Sequence, residues 1–463
     1  MKIDEIDPMK SAERTAADFC AAVAPEARAA LAERQIRTLA EREKVVRAFV
    51  CSNPDAARRQ AAVPSADPLG GALIGVKDII ATADFPTRYG STDPELVGPS
   101  HDAWCVARAK RLGGIVLGKT VCTEFAFPLP GPTTNPWDTR RTPGGSSSGS
   151  AAAVAAGFVS FGIGTQTAGS TIRPASYCGV TGFKPSYGLL PTDGVQAIST
   201  TLDHLGVFAR TPRDAWYFVI AMITNRSDVV APRRPNRVLR LSLPDSVPQD
   251  DQYRQFLSAL MSRLSEAGVV ADTLDLPFPI EDFKTLQQEL CYWEAARILL
   301  ASRQMHVVPQ LESLLGPYLN VEVSVYAAAR RRRQAHQAQF EALAAGYDAV
   351  LLPAASGIAP LTLADTGDAV MSRFWTTLHV PAIAVPMWLS TEGMPLGLQL
   401  LGPLGRDRSI VEVAQWFYEH RDLLAGKVHA SRGANALATP DRKAAPSRRQ
   451  QRKSPAEAGL RGL

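Results

Sequence analysis

The stretch Gly144-Gly145-Ser146-Ser147-Ser148-Gly149-Ser150-Ala151-Ala152-Ala153-Val154-Ala155-Ala156-Gly157 decides the reading of the fold. Its first half closes an irregular segment, residues 128–149, crowded with Pro, Gly, Asn and Ser. Its second half is a compact alanine-rich helix. Flexible linkers seldom run directly into such a helix, so the glycines and serines read as an ordered turn. Residues 158–163 follow as an apolar strand. Gly164-Thr165-Gln166-Thr167-Ala168-Gly169-Ser170 then reads as a second glycine-rich turn.

The same alternation continues outward. Ala72-Leu73-Ile74-Gly75-Val76 is a short apolar strand ending at Lys77-Asp78. Residues 103–112 are an amphipathic helix stopped by Gly113-Gly114, and Ile115-Val116-Leu117 is a buried strand. Residues 237–275 read strand, helix, strand. Residues 321–346 are a long helix, 349–353 a strand, 381–385 and 396–401 a strand pair, and 409–420 a last helix. Residues 12–60 read as two helices, broken near Pro25 and ending near Asn53-Pro54, before a polar linker at 61–68. The pattern predicts an α/β fold with one large mixed sheet covered by helices on both faces. The predicted organisation is an N-terminal helical segment (1–62), the α/β domain (63–428) and a basic, disordered tail (429–463).

Composition narrows the class. Of 463 residues, 46% are hydrophobic and 21% charged, which excludes a disordered or fibrous chain. The formal charge is +5, and residues 441–463 carry all of it: seven Lys/Arg against two acids. The rest is net neutral, so no nucleic-acid partner is expected. The six cysteines are scattered, without CxxC spacing, and read as reduced thiols. The N-terminus is too charged for a secretory leader, and the longest apolar run, residues 151–163, is too short to span a bilayer. A cytoplasmic protein with no membrane partner is the expectation. The histidines form no metal motif.

Two pattern matches fail on context. Gly113-Gly114-Ile115-Val116-Leu117-Gly118-Lys119-Thr120 fits the Walker A pattern, but a helix precedes it and its centre is strand-forming, so it reads as a helix–strand turn. Gly145-Ser146-Ser147-Ser148-Gly149 fits the nucleophile elbow of α/β-hydrolases, but a polar loop precedes it instead of a strand. What remains is Lys77 at the end of an apolar strand, together with two serine-bearing glycine turns. Burial there would lower the lysine pKa and allow a neutral amine to act as base. The turn ending at Ser170 can present backbone N–H groups and a hydroxyl together.

These blocks resemble the three signature segments of the amidase signature family: Gly75-Val76-Lys77-Asp78, the Gly144–Ala153 run, and the Gly164–Ser170 turn. Their separations fit as well, 69 residues from Lys77 to Ser146 and 24 from Ser146 to Ser170. Asn135-Pro136-Trp137, Gly182-Phe183-Lys184-Pro185 and Pro395-Leu396-Gly397-Leu398-Gln399-Leu400 are also similar to the family. The resemblance implies amide hydrolysis of a small-molecule substrate without metal or cofactor. By it, Ser170 is the nucleophile, Ser146 the bridging serine after a cis Gly145 bond, Lys77 the base and Ser147 a supporting hydrogen-bonder. The N–H groups of Thr167, Ala168, Gly169 and Ser170 are the implied oxyanion hole. A homodimer is also implied.

The chain departs from the commonest family pattern at Gln166, often Asp, at Ala168, often Gly, and at Arg173, which stands three residues after the nucleophile instead of two. The combination resembles the malonamidase branch, in which an arginine at the place of Arg173 binds the substrate carboxylate. A guanidinium suits that task through two parallel hydrogen bonds. Bracing of the loop through backbone carbonyls is the competing role for Arg173. Thr167 is a second candidate substrate contact. Two other readings stay open: a glutaminase-type subunit of a tRNA-dependent amidotransferase, and a non-catalytic binding protein on the same fold. Arg330-Arg331-Arg332-Arg333 reads as a solvated helix, Cys178 as packing, His204 as a loop residue near the pocket, and 375–378 as a candidate substrate-side segment.

Overall fold

Local signals set the N-terminal elements. The computed structural model describes residues 24–226, 228–301 and 307–425, together with Phe19. The expected tail and most of the segment before Pro25 lie outside the described residues. Pro25–Val46 is a helix with proline in its first turn, where no N–H is needed, and it ends at Arg47 in the left-handed region (φ 52°). The expectation of a second helix up to Asn53 is corrected. Phe49–Ser52 (β1) is a strand, and the next helix, Pro54–Ala61, starts where that helix was expected to end. Asn53 caps it by accepting from the Ala56 N–H at 3.0 Å, and Phe49, Val50 and Cys51 suit a pleated strand better than a helix.

The remaining strands are β2 (Leu73–Lys77), β3 (Ile115–Thr120), β4 (Phe161–Gln166), β5 (Thr181–Lys184), β6 (His204–Ala209), β7 (Arg237–Ser242), β8 (Val270–Asp275), β9 (Ala349–Pro353), β10 (Ala382–Leu389) and β11 (Pro395–Leu401). They form one mixed sheet in the order β1-β3-β2-β4-β6-β5-β10-β11-β9-β7-β8. β2 runs parallel to β3 and β4, and β7 parallel to β8 and β9; the other pairs are antiparallel. Apart from the last residue of β10, the central strands are buried along their whole length, which requires cover on both faces. β10, for example, packs against both Ile172–Cys178 and Asp407–Glu419.

Two expectations change inside the sheet. Gly164, Thr165 and Gln166 belong to β4 and are not part of a turn, which begins at Thr167. His204 opens β6 and is not in a loop. The Walker-like run is the helix–strand turn expected, with Gly113 at φ +83° and Lys119 inside β3.

The serine-rich helix, Ser148–Ala155, is buried on every side against β2, β3, β4 and β6. Only small side chains fit there. A Cβ on Gly149 would meet the Ala48 carbonyl oxygen at 2.2 Å and the Val121 nitrogen at 2.4 Å. Tight packing of this helix holds the loop before it, residues 144–147, against the carboxyl ends of β2 and β4. No described helix is long and apolar enough to cross a membrane.

Candidate active site

Lys77 is the last residue of β2, and Thr165 and Gln166 end the neighbouring parallel strand β4. Ligands bind outside the carboxyl ends of such strands. The Lys77 side chain is fully buried. Its Nζ lies 2.7 Å from Ser146 Oγ and 2.7 Å from Thr165 Oγ1. Burial pushes its pKa down to about 8, against weak opposing pulls from Cys122 and Asp203. The Gly145–Ser146 peptide is cis. Gly144, at φ +81°, makes the turn that precedes it.

Ser147 bonds to the backbone of Thr165 and, among the described residues, to no catalytic side chain. Its Oγ donates to the Thr165 carbonyl at 3.2 Å and accepts from the Thr165 N–H at 3.3 Å. It thereby holds the residue whose hydroxyl faces Lys77. Thr165 itself was not singled out in the sequence.

Ser146 and Ser170 open on one cavity of about 400 Å³, but no hydrogen bond joins their hydroxyls. Thr167, Ala168 and Arg173 also line it. Ala126, Phe127, Pro128, Ile198 and Tyr292 give it an apolar side; Asp365, Asp368, Arg173 and Arg373 give it a charged one. The backbone N–H groups of Thr167, Ala168, Gly169 and Ser170 have no hydrogen-bond acceptor among the described residues. A turn carrying four unpaired donors can receive an anionic oxygen. Among the described residues, no group of three His, Cys, Asp or Glu side chains is placed to hold a metal ion.

Gln166 is buried behind this turn. Its Oε1 accepts from the Thr171 and Ile172 N–H groups at 2.8 and 3.0 Å, and its Nε2 donates to Thr376 Oγ1 at 2.9 Å. An aspartate could accept at the helix start but could not also donate, so the neutral amide is the side chain that fits both partners.

Arg173 is buried at the cavity wall. Its Nη2 donates to the Gly145 carbonyl at 2.5 Å and its Nη1 to the Gly367 carbonyl. The guanidinium therefore braces two loops, and the fork expected to grip a carboxylate is already engaged. Its Nε, like Thr123 Oγ1, is buried without a partner among the described residues.

Several expectations are relocated. His204 does not line the cavity; its Nδ1 is 2.6 Å from the Leu202 carbonyl, and burial holds its pKa well below the usual range. Residues 375–378 do not line the cavity either. Trp375 packs among Phe278, Phe283, Phe340 and Phe374, while Thr376 touches the Ser170 turn from behind. Of the arginine run, Arg333 is buried beside Gln337 and His379, whereas its three neighbours are solvated. The Cys178 thiol is buried, and burial pushes its pKa up, as suits packing. The site residues given no role in the sequence are Thr165, Asp203 and Gln287; Thr376 fell within the 375–378 segment, but it holds the Ser170 turn instead of facing the cavity. Asp203 accepts from Thr167 Oγ1 at 2.6 Å, with its carboxyl pushed up to about 6 by burial.

Comparison with known proteins bears on the family and the fold. A family model described as Amidase matches residues 30–411. A glutamyl-tRNA(Gln) amidotransferase subunit of Exiguobacterium sibiricum is 31% identical over 428 residues, covering 80% of this chain and 89% of its own length. A solved structure described as an amidase superposes with a TM-score of 0.76 at 28% identity, over 90% of this chain and 100% of its own. The peptide amidase PAM bound to its competitive inhibitor chymostatin gives 0.72 at 26% identity, over 85% of this chain and 94% of its own.

Proposed function

The chain belongs to the amidase family and is an amidohydrolase; on that premise we propose that it cleaves a small linear amide through Ser170, Ser146 and Lys77. The observation that carries this reading is the set of neighbours around Lys77, a buried amine flanked by two hydroxyls at the edge of a cavity. With its pKa near 8, about a tenth of Lys77 is neutral at pH 7. Neutral Lys77 donates to Thr165 and takes the Ser146 proton, and Ser146 takes the Ser170 proton. Ser170 Oγ, turned toward Ser146, attacks the amide carbon, and the oxyanion falls to the free N–H groups of residues 167–170. Ser146 returns a proton to the leaving nitrogen, the C–N bond breaks, and water hydrolyses the acyl-enzyme by the same relay.

A fluorophosphonate tests the nucleophile. Labelling is expected at Ser170 and is lost in Ser170→Ala; labelling elsewhere overturns the assignment. The Arg173 cation in the cavity wall supports an acid-bearing substrate, whose charge it would offset. Comparison of malonamate-type acids with neutral amides tests this. Arg173→Ala should lose more on the acids; equal loss on both leaves bracing as its only role.

The 31% identity to an amidotransferase component supports a second reading, a glutaminase acting within a complex. Ammonia release from amides by the isolated chain favours the hydrolase. Activity appearing only when partner subunits are supplied favours the complex.

A further inference from the structure

Two side chains far away in the sequence grip the turn before Ser170 by its carbonyls. Gln287 Nε2, on the helix Ile280–Ala295, donates to the Thr167 carbonyl at 3.1 Å. Thr376 Oγ1, on the helix Val370–Thr377, donates to the Ala168 carbonyl at 2.5 Å. Both side chains are buried.

A trans peptide is planar, so its C=O and the following N–H point in opposite directions. Fixing the Thr167 carbonyl therefore fixes the Ala168 N–H, and fixing the Ala168 carbonyl fixes the Gly169 N–H. Gln166 sets the second grip. Its Nε2 donates to Thr376 Oγ1 at 2.9 Å, which leaves that hydroxyl to act as donor. Its nearest acceptor is then Ala168, with the Ser372 carbonyl more distant at 2.9 Å.

We propose that Gln287 and Thr376 are positioning residues that aim the Ala168 and Gly169 N–H groups at the oxyanion formed during attack by Ser170. The proposal rests on the reading of Ser170 as nucleophile. Oxyanion stabilisation depends on donors that are already oriented, and an untethered turn would have to reorganise at the moment of reaction. Gln166, unusual for the family, becomes intelligible as the donor that orients Thr376.

The test is steady-state kinetics on a cleaved amide for Thr376→Val, Gln287→Met and Thr376→Ser, with Ser170→Ala beside them. Thr376→Val and Gln287→Met should each lower kcat by about 10- to 100-fold, with KM within about twofold of wild type. Thr376→Ser, which restores the hydroxyl, should recover most of kcat. Unchanged kcat in Thr376→Val and Gln287→Met, or a Thr376→Ser enzyme as slow as Thr376→Val, overturns the proposal. Should Thr376→Val not fold, Gln287→Met decides, because Gln287 lies on the cavity wall. An active Ser170→Ala enzyme would instead remove the nucleophile on which the proposal rests.

Discussion

Lys77 and Lys119 stand on adjacent parallel strands, one register step apart, and neither is exposed. Burial pushes both amines below the ordinary lysine range. Their neighbours differ. Lys119 donates to the Ile80 carbonyl and to Thr87 Oγ1 at 2.6 Å, and it faces the buried Asp78 carboxylate at 3.6 Å. Lys77 touches two hydroxyls and no carboxylate. A buried ammonium beside a carboxylate keeps its charge and works as a strut, whereas an amine among hydroxyls can exchange protons. Lys184 shows that a low pKa alone does not make a base. Burial takes it to about 7, yet it touches only the carbonyls of Pro185 and Val380, which have no proton to give.

Substitutions at the two strands should separate these roles. Lys77→Ala is expected to lower kcat at pH 7 by about 10³-fold, measured as ammonia or amine release. Lys119→Met leaves Asp78 buried without its cation and should cost about 3–5 kcal/mol in denaturant unfolding, with kcat of the folded protein near wild type. Adding Asp78→Asn should recover part of that stability; if it does not, the strut role is wrong. Thr165→Val takes a hydrogen-bond acceptor from the Lys77 ammonium. The ammonium is then less stable and its pKa falls, so the acid limb of the rate profile should move to lower pH, with kcat reduced about 10-fold at its plateau. An unshifted limb would mean that Thr165 does not hold the amine.

Much of this site was legible in the sequence because its parts are local. A strand ending in lysine, a glycine–serine turn leading into an alanine helix, and a glycine turn ending at Ser170 each fit within about ten residues. The elements with strong periodicity, such as 323–344 and the pair β10–β11, were legible for the same reason. β5 and β6 were not, being short and interrupted by glycine, and Phe49–Ser52 was hidden among helix-forming neighbours. Gln287 was invisible, and Thr376 was noted only as part of a substrate-side segment, because packing alone brings both to the turn. Gln287 lies 120 residues from Thr167, and Thr376 lies 208 residues from Ala168. No local pattern distinguishes a glutamine on an amphipathic helix from a solvated one. For Arg173 the sequence left carboxylate binding and loop bracing side by side, because its contact with the Gly367 carbonyl depends on a loop almost two hundred residues away.

The most direct measurement is the pH dependence, from 6 to 10, of the rate at which a fluorophosphonate modifies Ser170. With Lys77 as base, the rate should rise about tenfold per pH unit and level off near pH 8, and the Lys77→Ala enzyme should react slowly without that limb. A flat wild-type profile, or the same limb in Lys77→Ala, would contradict the assignment of Lys77 as the proton acceptor.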